Sequence, residues 1–165
     1  MSIPVSHELF HPDAVFVTNQ TSQAAIFQEV AAQLHQLKAV KPGFAQALLA
    51  REHDYPTGID LSVLNSDYPN VAVPHTEAEF VNTRMIVPIK LMHPVMFGNM
   101  IDPSVQLPVS YLFMLLNDEL DSQTNILAQV MDLITTTPTK QLTAFFNETN
   151  RATIYSLLST YFSQD

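Results

Sequence analysis

The stretch VAVPH, residues 71–75, reads as a short buried strand that ends in a proline and then a histidine. A short run of aliphatic residues bounded by turn signals is typical of a strand inside a sheet. Neutral imidazole is a nucleophile at pH 7, and a strand end followed by a turn can hold His75 accessible on a rigid base. The alternative interpretation is a structural histidine with no chemical role.

A second unusual block, REHDYPTG, lies upstream at residues 51–58. The guanidinium of Arg51 can bind phosphoryl oxygens through a pair of N–H donors. The Pro-Thr-Gly turn that follows adds the Thr57 hydroxyl and a flexible backbone amide. Together with the histidine that ends the strand, this block suggests a histidine that carries phosphate. The alternative is a solvated arginine at a helix end that pairs with Glu52 or Asp54.

The residues after the histidine read TEAE, positions 76–79, which match the capping-box pattern S/T-x-x-E. This pattern predicts a short helix that starts directly after His75, with backbone N–H groups that face an anion bound there. Glu77 and Glu79 would favour the protonated imidazole, which opposes nucleophilicity but helps to attract a basic partner. The sequence leaves open which of these two effects prevails.

The amino-acid composition limits which kinds of protein this chain can be. With 165 residues, of which 47% are hydrophobic and 14% charged, the chain is expected to form a single folded domain over residues 1–165. A net charge of −9 argues against binding to nucleic acids or anionic membranes. The absence of cysteine excludes disulfides and fits a cytoplasmic location. We find no secretory signal, and the longest apolar stretch, Val105–Leu116, is too short to span a bilayer.

Hydrophobic periodicity predicts an α/β sandwich in which a small mixed sheet is flanked by helices, with helices on both faces. Thr21 or Ser22 is expected to cap the first helix. Pro88 suggests that its strand lies at a sheet edge or bulge. The predicted elements are helices around Ile26–Leu37, Pro42–Glu52, Asp121–Ile134 and Glu148–Phe162, and strands at Asn70–Val73, Arg84–Leu91 and Val105–Leu116.

Other chemistries have little support in the sequence. The remaining histidines match no zinc template such as H-E-x-x-H, so no metal site is expected. His53 is close enough to Arg51 to lie near the site, although an exposed position is the simpler expectation. The chain has no G-x-S-x-G elbow, no P-loop and no G-x-G-x-x-G, so neither a hydrolase triad nor a bound nucleotide cofactor is predicted.

The segments LLAREHDYPTGIDL, residues 48–61, and NVAVPHTEAEFV, residues 70–81, resemble the signature of enzyme IIA of the sugar phosphotransferase system, in its fructose/mannitol superfamily. The resemblance is nearest to the galactitol-type branch. It implies that His75 takes a phosphoryl group from the phosphocarrier protein HPr and passes it to a cysteine of the cognate enzyme IIB, during sugar uptake through the membrane component IIC. It also implies that Arg51 neutralises the phosphoryl charge, with Thr57 as a supporting donor, and that no cofactor takes part.

One departure from the family pattern concerns a second active-site histidine. Mannitol- and fructose-type members carry it at the start of the helix after the long strand, whereas residues 118–127 here contain none. Gln123 most nearly occupies that position, and the galactitol-type branch likewise lacks the histidine. Two other interpretations stay open: a regulatory phosphohistidine module of the same fold, and a non-enzymatic interaction protein.

Overall fold

The computed structural model describes residues 9–117 and 123–162, the second range without the side chains of residues 123–125 and 162. Five strands form one mixed sheet in the order β1-β4-β5-β3-β2. The pairs β1–β4 and β3–β5 are parallel, and the pairs β4–β5 and β2–β3 are antiparallel. The strands are β1 Phe16–Thr18, β2 Gly58–Ile59, β3 Asn70–Ala72, β4 Met85–Gly98 and β5 Gln106–Leu116.

Helices cover both faces of this sheet, as predicted. The helices are α1 Gln23–Gln36, α2 Phe44–Asp54, α3 Gln123–Thr136, α4 Thr139–Asn147 and α5 Arg151–Phe162, with 3₁₀ turns at Leu61–Val63 and Ala78–Phe80. Ser22 caps α1, since its hydroxyl oxygen accepts a hydrogen bond from the Ala25 N–H at 3.2 Å. Within the described ranges, no helix is both long and apolar enough to cross a bilayer.

The central strand β5 shows how the sequence builds two cores. Successive side chains of a strand point to opposite faces, and here both faces are buried from Tyr111 onward. Leu112 and Met114 pack in the core beneath α1 and α2, whereas Tyr111 and Phe113 pack in the core beneath α3, α4 and α5. The continuous apolar run predicted to be a strand covered on both faces is confirmed.

The strand β4 corrects one prediction. The prediction was that the strand containing Pro88 lies at a sheet edge or bulge. Because β4 lies between β1 and β5, the strand as a whole is not an edge, but its pairing with β5 does shift register between Lys90 and Val95. Proline is tolerated here because β1 pairs only with Ile89–Leu91, which leaves Pro88 just outside that ladder. The strand also runs seven residues past its predicted end at Leu91, through a break in the pairing register.

Three elements were not predicted: β1, β2 and α4. The two strands contain three and two residues, too few for an alternating pattern to show. The helix α4 begins after Pro138 and buries only Leu142, Phe145 and Phe146. The predicted α/β sandwich with a small mixed sheet is nevertheless the fold that the chain adopts.

Candidate functional site

His75 lies where the chain leaves β3 and continues beside the central strand. The N–H of Leu115 on β5 donates to the Pro74 carbonyl at 2.9 Å, and His75 itself forms a parallel bridge with Leu115. The backbone that carries the imidazole is therefore fixed to the most buried strand of the sheet. The side chain remains half-buried, so it is held rigidly and still reaches the surface.

A hydrogen bond to the backbone determines the tautomer of the His75 ring. Its Nδ1 lies 2.8 Å from the carbonyl oxygen of Val73. A carbonyl oxygen can only accept, so Nδ1 must carry the proton and Nε2 keeps its lone pair. The nucleophilic nitrogen of the neutral ring is therefore Nε2.

Electrostatics favour the neutral form of this imidazole. Burial lowers the pKa of His75 below its ordinary value, and the positive charge of Arg51 acts in the same direction. The hydrogen bond to Val73 and the negative charge of Glu77 oppose the shift, but the net direction is downward. The charge of Glu77 therefore does not raise the pKa of His75 above its ordinary value, because burial and Arg51 outweigh it.

Arg51 lies in the last turn of α2 and faces the histidine segment. Its Nη1 donates to Glu77 Oε2 at 3.0 Å, and its Cζ lies 4.7 Å from the centroid of the Tyr55 ring. The local alternative, in which Arg51 pairs with Glu52 or Asp54, is not the arrangement found. Among the residues that the structure describes, the buried Nε of Arg51 has no hydrogen-bond partner. The guanidinium thus keeps an unused donor at the site.

Thr57 is buried between Glu52 and the Val73 backbone. Its hydroxyl donates to Glu52 Oε1 at 2.7 Å and accepts the Val73 N–H at 3.2 Å. A hydroxyl can donate only one hydrogen bond, and in this conformation the Thr57 hydroxyl donates it to Glu52. The next residue, Gly58, must be a glycine, because an added Cβ would lie 2.6 Å from the Gly98 carbonyl oxygen. This close approach seats the Pro-Thr-Gly turn against the end of β4.

The predicted capping box after His75 is wrong. The helical segment there is a single 3₁₀ turn, Ala78–Phe80, whose N-cap is Glu77 without a side-chain capping bond. Thr76 does not cap it, since its hydroxyl donates to the Glu77 carbonyl at 3.0 Å. Within the described residues, no α-helix therefore begins directly after His75.

The two supporting candidates differ in what can be said of them. His53 is exposed on α2, with its Nδ1 3.3 Å from Asp54 Oδ1. Gln123 is the first residue of α3, and its side chain lies outside the described residues. In the described part of the chain, no group of three His, Cys, Asp or Glu side chains could hold a metal ion.

Sequence reasoning missed Glu52 as a member of the site, and it missed the pairing of Glu77 with Arg51. A signal for Glu52 was present, because α2 buries Phe44, Leu48 and Glu52 at a spacing of four residues, which places the carboxyl on the apolar face of the helix. The ion pair between Glu77 and Arg51 offered no comparable signal, since the two residues are 26 positions apart in the chain.

The fold is similar to several solved structures. IIA mannitol from Escherichia coli matches with a TM-score of 0.68 at 18% identity, over 90% of this chain and 98% of that one. The complex of enzyme IIAMTL with phosphorylated enzyme IIBMTL from Escherichia coli gives 0.68 at 17% identity, over 92% and 97%. Nitrogen regulatory protein IIA-Ntr from Neisseria meningitidis gives 0.63 at 19% identity, over 93% and 99%. A search of curated proteins finds no match.

The sequence itself matches a protein-family model over almost its whole length. That model describes the phosphoenolpyruvate-dependent sugar phosphotransferase system, EIIA 2, and the match covers residues 8–161. The match includes both segments whose resemblance to enzyme IIA was noted from the sequence. The chain therefore belongs to the EIIA 2 family of the phosphoenolpyruvate-dependent sugar phosphotransferase system, which transfers phosphoryl groups in sugar uptake.

Proposed function

We propose that His75 accepts a phosphoryl group on Nε2 from phospho-HPr and passes it to a cysteine of the cognate enzyme IIB. The observation that carries this proposal is the 2.8 Å contact between His75 Nδ1 and the Val73 carbonyl oxygen, which leaves Nε2 as the nucleophile. The lowered pKa of His75 supports it, because an unprotonated ring is needed for attack.

The proposed reaction consists of two in-line displacements. In the first, the Nε2 lone pair attacks phosphorus, the P–N bond of the donor phosphohistidine breaks, and its electron pair returns to the donor ring. In the second, a cysteine thiolate attacks phosphorus, and the His75 P–N bond breaks with its pair returning to Nε2. Phosphoryl transfer of this kind needs positioning and charge neutralisation more than covalent help from the protein. No cofactor is part of the proposal.

Arg51 is proposed to neutralise the phosphoryl charge. Its Nε is buried and unpaired among the described residues, and its Nη1 is held by a carboxylate that a phosphoryl oxygen can replace. Thr57 is proposed to support the site through the Val73 backbone, since its proton is donated to Glu52. Gln123 and His53 remain proposed supporting residues, and His53 is the weaker candidate because its side chain is 88% exposed.

The sugar is proposed to be galactitol or a related sugar alcohol. The support is the sequence resemblance together with the absence of a histidine at residues 118–127. A regulatory phosphohistidine module is the second candidate, because the nitrogen regulatory protein from Neisseria meningitidis has the same fold as the mannitol protein from Escherichia coli. A shared fold does not distinguish between the two roles. With HPr as donor, a cytoplasmic location belongs to the same proposal.

The test is to incubate the purified chain with phosphoenolpyruvate, enzyme I and HPr, and to measure its intact mass. We expect one acid-labile phosphate on the wild type and on His53→Ala, and none on His75→Ala. No phosphate on the wild type would overturn the proposal and favour the interaction-protein interpretation. A phosphate on all three proteins would mean that another histidine reacts. Adding candidate IIB proteins then tests transport, because a purely regulatory module would pass phosphate to none of them.

A further inference from the structure

Glu52 has no place in the proposed transfer, yet it is the most deeply buried carboxyl group near His75. Its side chain is 3% exposed and lies on the apolar face of α2. Both of its oxygens are used by one residue, because Oε2 accepts the Thr57 N–H and Oε1 accepts the Thr57 hydroxyl, each at 2.7 Å. This pair of bonds fixes both the backbone and the side chain of Thr57.

The contacts continue from Thr57 to the imidazole. The Val73 N–H donates to the Thr57 hydroxyl oxygen at 3.2 Å and to the Thr57 carbonyl oxygen at 3.3 Å. The Val73 carbonyl in turn accepts the His75 Nδ1–H at 2.8 Å. Two sets of hydrogen bonds, joined through the Val73 backbone, therefore connect the carboxyl group to the ring that carries the nucleophile.

We infer that Glu52 is a positioning residue that holds the His75 ring in its Nδ1–H tautomer and in its orientation, acting through Thr57 and Val73. This inference rests on the proposed function of His75. Because Glu52 accepts the single proton of the Thr57 hydroxyl, the lone pairs of that oxygen are directed toward the Val73 N–H. Without this acceptor the hydroxyl is free to rotate, and the Val73 N–H keeps only its 3.3 Å bond to the Thr57 carbonyl, so the Val73 backbone is held less firmly against the ring.

The buried position of the Glu52 carboxyl group is energetically unfavourable for its charged form. Burial raises the pKa of Glu52 to about 7, and the two hydrogen bonds from Thr57 offset only part of that effect. The position follows Phe44 and Leu48 on the same helix face, where an apolar side chain would pack without this cost. A positioning role accounts for a polar group at this position.

The test uses two variants of Glu52 and one matched control. Glu52→Gln keeps an acceptor for the Thr57 N–H but offers no second acceptor for its hydroxyl, whereas Glu52→Ala removes both. Asp60→Ala is the control, since Asp60 likewise accepts both the N–H and the hydroxyl of one residue, Ser62, but is partly exposed, and these two bonds stay within its own turn. Thr57→Val breaks the connection between Glu52 and Val73 and serves if the Glu52 variants fail to fold.

Two measurements are made on each folded variant. Nitrogen-15 NMR of the imidazole reports the tautomer and the Nδ1–H bond of His75 without any partner protein. Phosphorylation by phospho-HPr gives kcat and KM separately. We expect Glu52→Ala to shift the ring toward a tautomer mixture and to lower kcat by up to about 100-fold, the cost of a misplaced reacting group, with a smaller loss for Glu52→Gln. KM should not change, because a residue that is 3% exposed cannot contact the donor.

The outcomes separate the two proposals. An unchanged tautomer and an unchanged kcat in the Glu52 and Thr57 variants would overturn the positioning role while leaving His75 as the acceptor. An equal loss in Asp60→Ala would also overturn it, because the effect would then be general. If the wild type is not phosphorylated at all, the proposed function fails, and the NMR result alone still decides whether Glu52 orders the His75 ring.

Discussion

Two buried hydroxyl groups on either side of the sheet are treated in opposite ways. Near α2, the Thr57 hydroxyl is fully used, as a donor to Glu52 and an acceptor from Val73. On the other face, the Tyr111 hydroxyl is fully buried among aromatic rings and has no partner within the described residues. The first region uses directional bonds to orient a side chain, and the second uses apolar contact to hold the fold. The two regions therefore differ in the kind of contact on which they depend.

Phe145→Ala should disrupt the aromatic region around Tyr111 and cause the largest loss of stability. Phe145 is fully buried, with ring centroids 5.1 Å from Tyr111, 5.6 Å from Phe146 and 6.3 Å from Tyr161. Truncation leaves a cavity, so we expect the free energy of unfolding to fall by about 3 to 5 kcal/mol. Urea unfolding measures this. In the fraction that stays folded, the His75 tautomer should be unchanged, and a changed tautomer would show that the two regions are not separate.

The pH dependence of stability should distinguish the region around Glu52 and Thr57 from the aromatic region around Tyr111. The folded-state pKa of Glu52 is about 7, above the ordinary 4.5, so its contribution is complete below pH 4.5 and is lost as the pH rises through 7. We expect the difference in unfolding free energy between wild type and Glu52→Gln to fall by roughly 2 to 3 kcal/mol from pH 5 to pH 8. Urea unfolding at several pH values measures it, and a constant difference would mean that Glu52 ionises as an exposed carboxyl does.

Tyr111→Phe tests the aromatic region by removing the hydroxyl that, unlike that of Thr57, has no partner among the described residues. The variant removes a buried hydroxyl that lacks a partner among the described residues and leaves the ring contacts in place. An unsatisfied buried polar group is costly, so the protein should gain about 1 to 2 kcal/mol of stability. Thermal and urea unfolding report this gain. A loss of stability would indicate that the hydroxyl has a partner after all.

The same comparison explains what the sequence could predict. The apolar run of β5 and the helical periods are local patterns, so the layered fold was predictable. His75 and Arg51 could be proposed as site residues because each lies in a short motif. The contacts that orient them join segments that are distant in the chain. Arg51 meets a carboxylate 26 residues away, and Thr57 meets Val73 across 16 residues. No local pattern reports such pairs, so the sequence predicted a capping box after His75 but not the ion pair between Arg51 and Glu77.

Glu77→Gln should give the smallest effect and tests whether the ion pair with Arg51 belongs to the site or only to the surface. The two side chains are 33% and 45% exposed, so the pair should contribute less than about 1 kcal/mol to stability. The Glu77 carboxylate nevertheless binds the Arg51 guanidinium, which is the group that a phosphoryl group on His75 would use. Its removal should therefore shift the phosphorylation equilibrium with HPr toward phospho-His75 by about two- to fivefold, the equivalent of a surface ion pair.

Glu79→Gln is the matched control for this last variant, because it removes the same charge from an exposed position two residues away. The phosphorylated fraction is measured by intact mass at several ratios of phospho-HPr to the chain. An equal shift in both variants would assign the effect to net charge alone. A shift confined to Glu77→Gln would mean that the carboxylate stands in for the phosphoryl group when the histidine is empty. In that case even the exposed part of the site is ordered by directional contacts, as Thr57 is and Tyr111 is not.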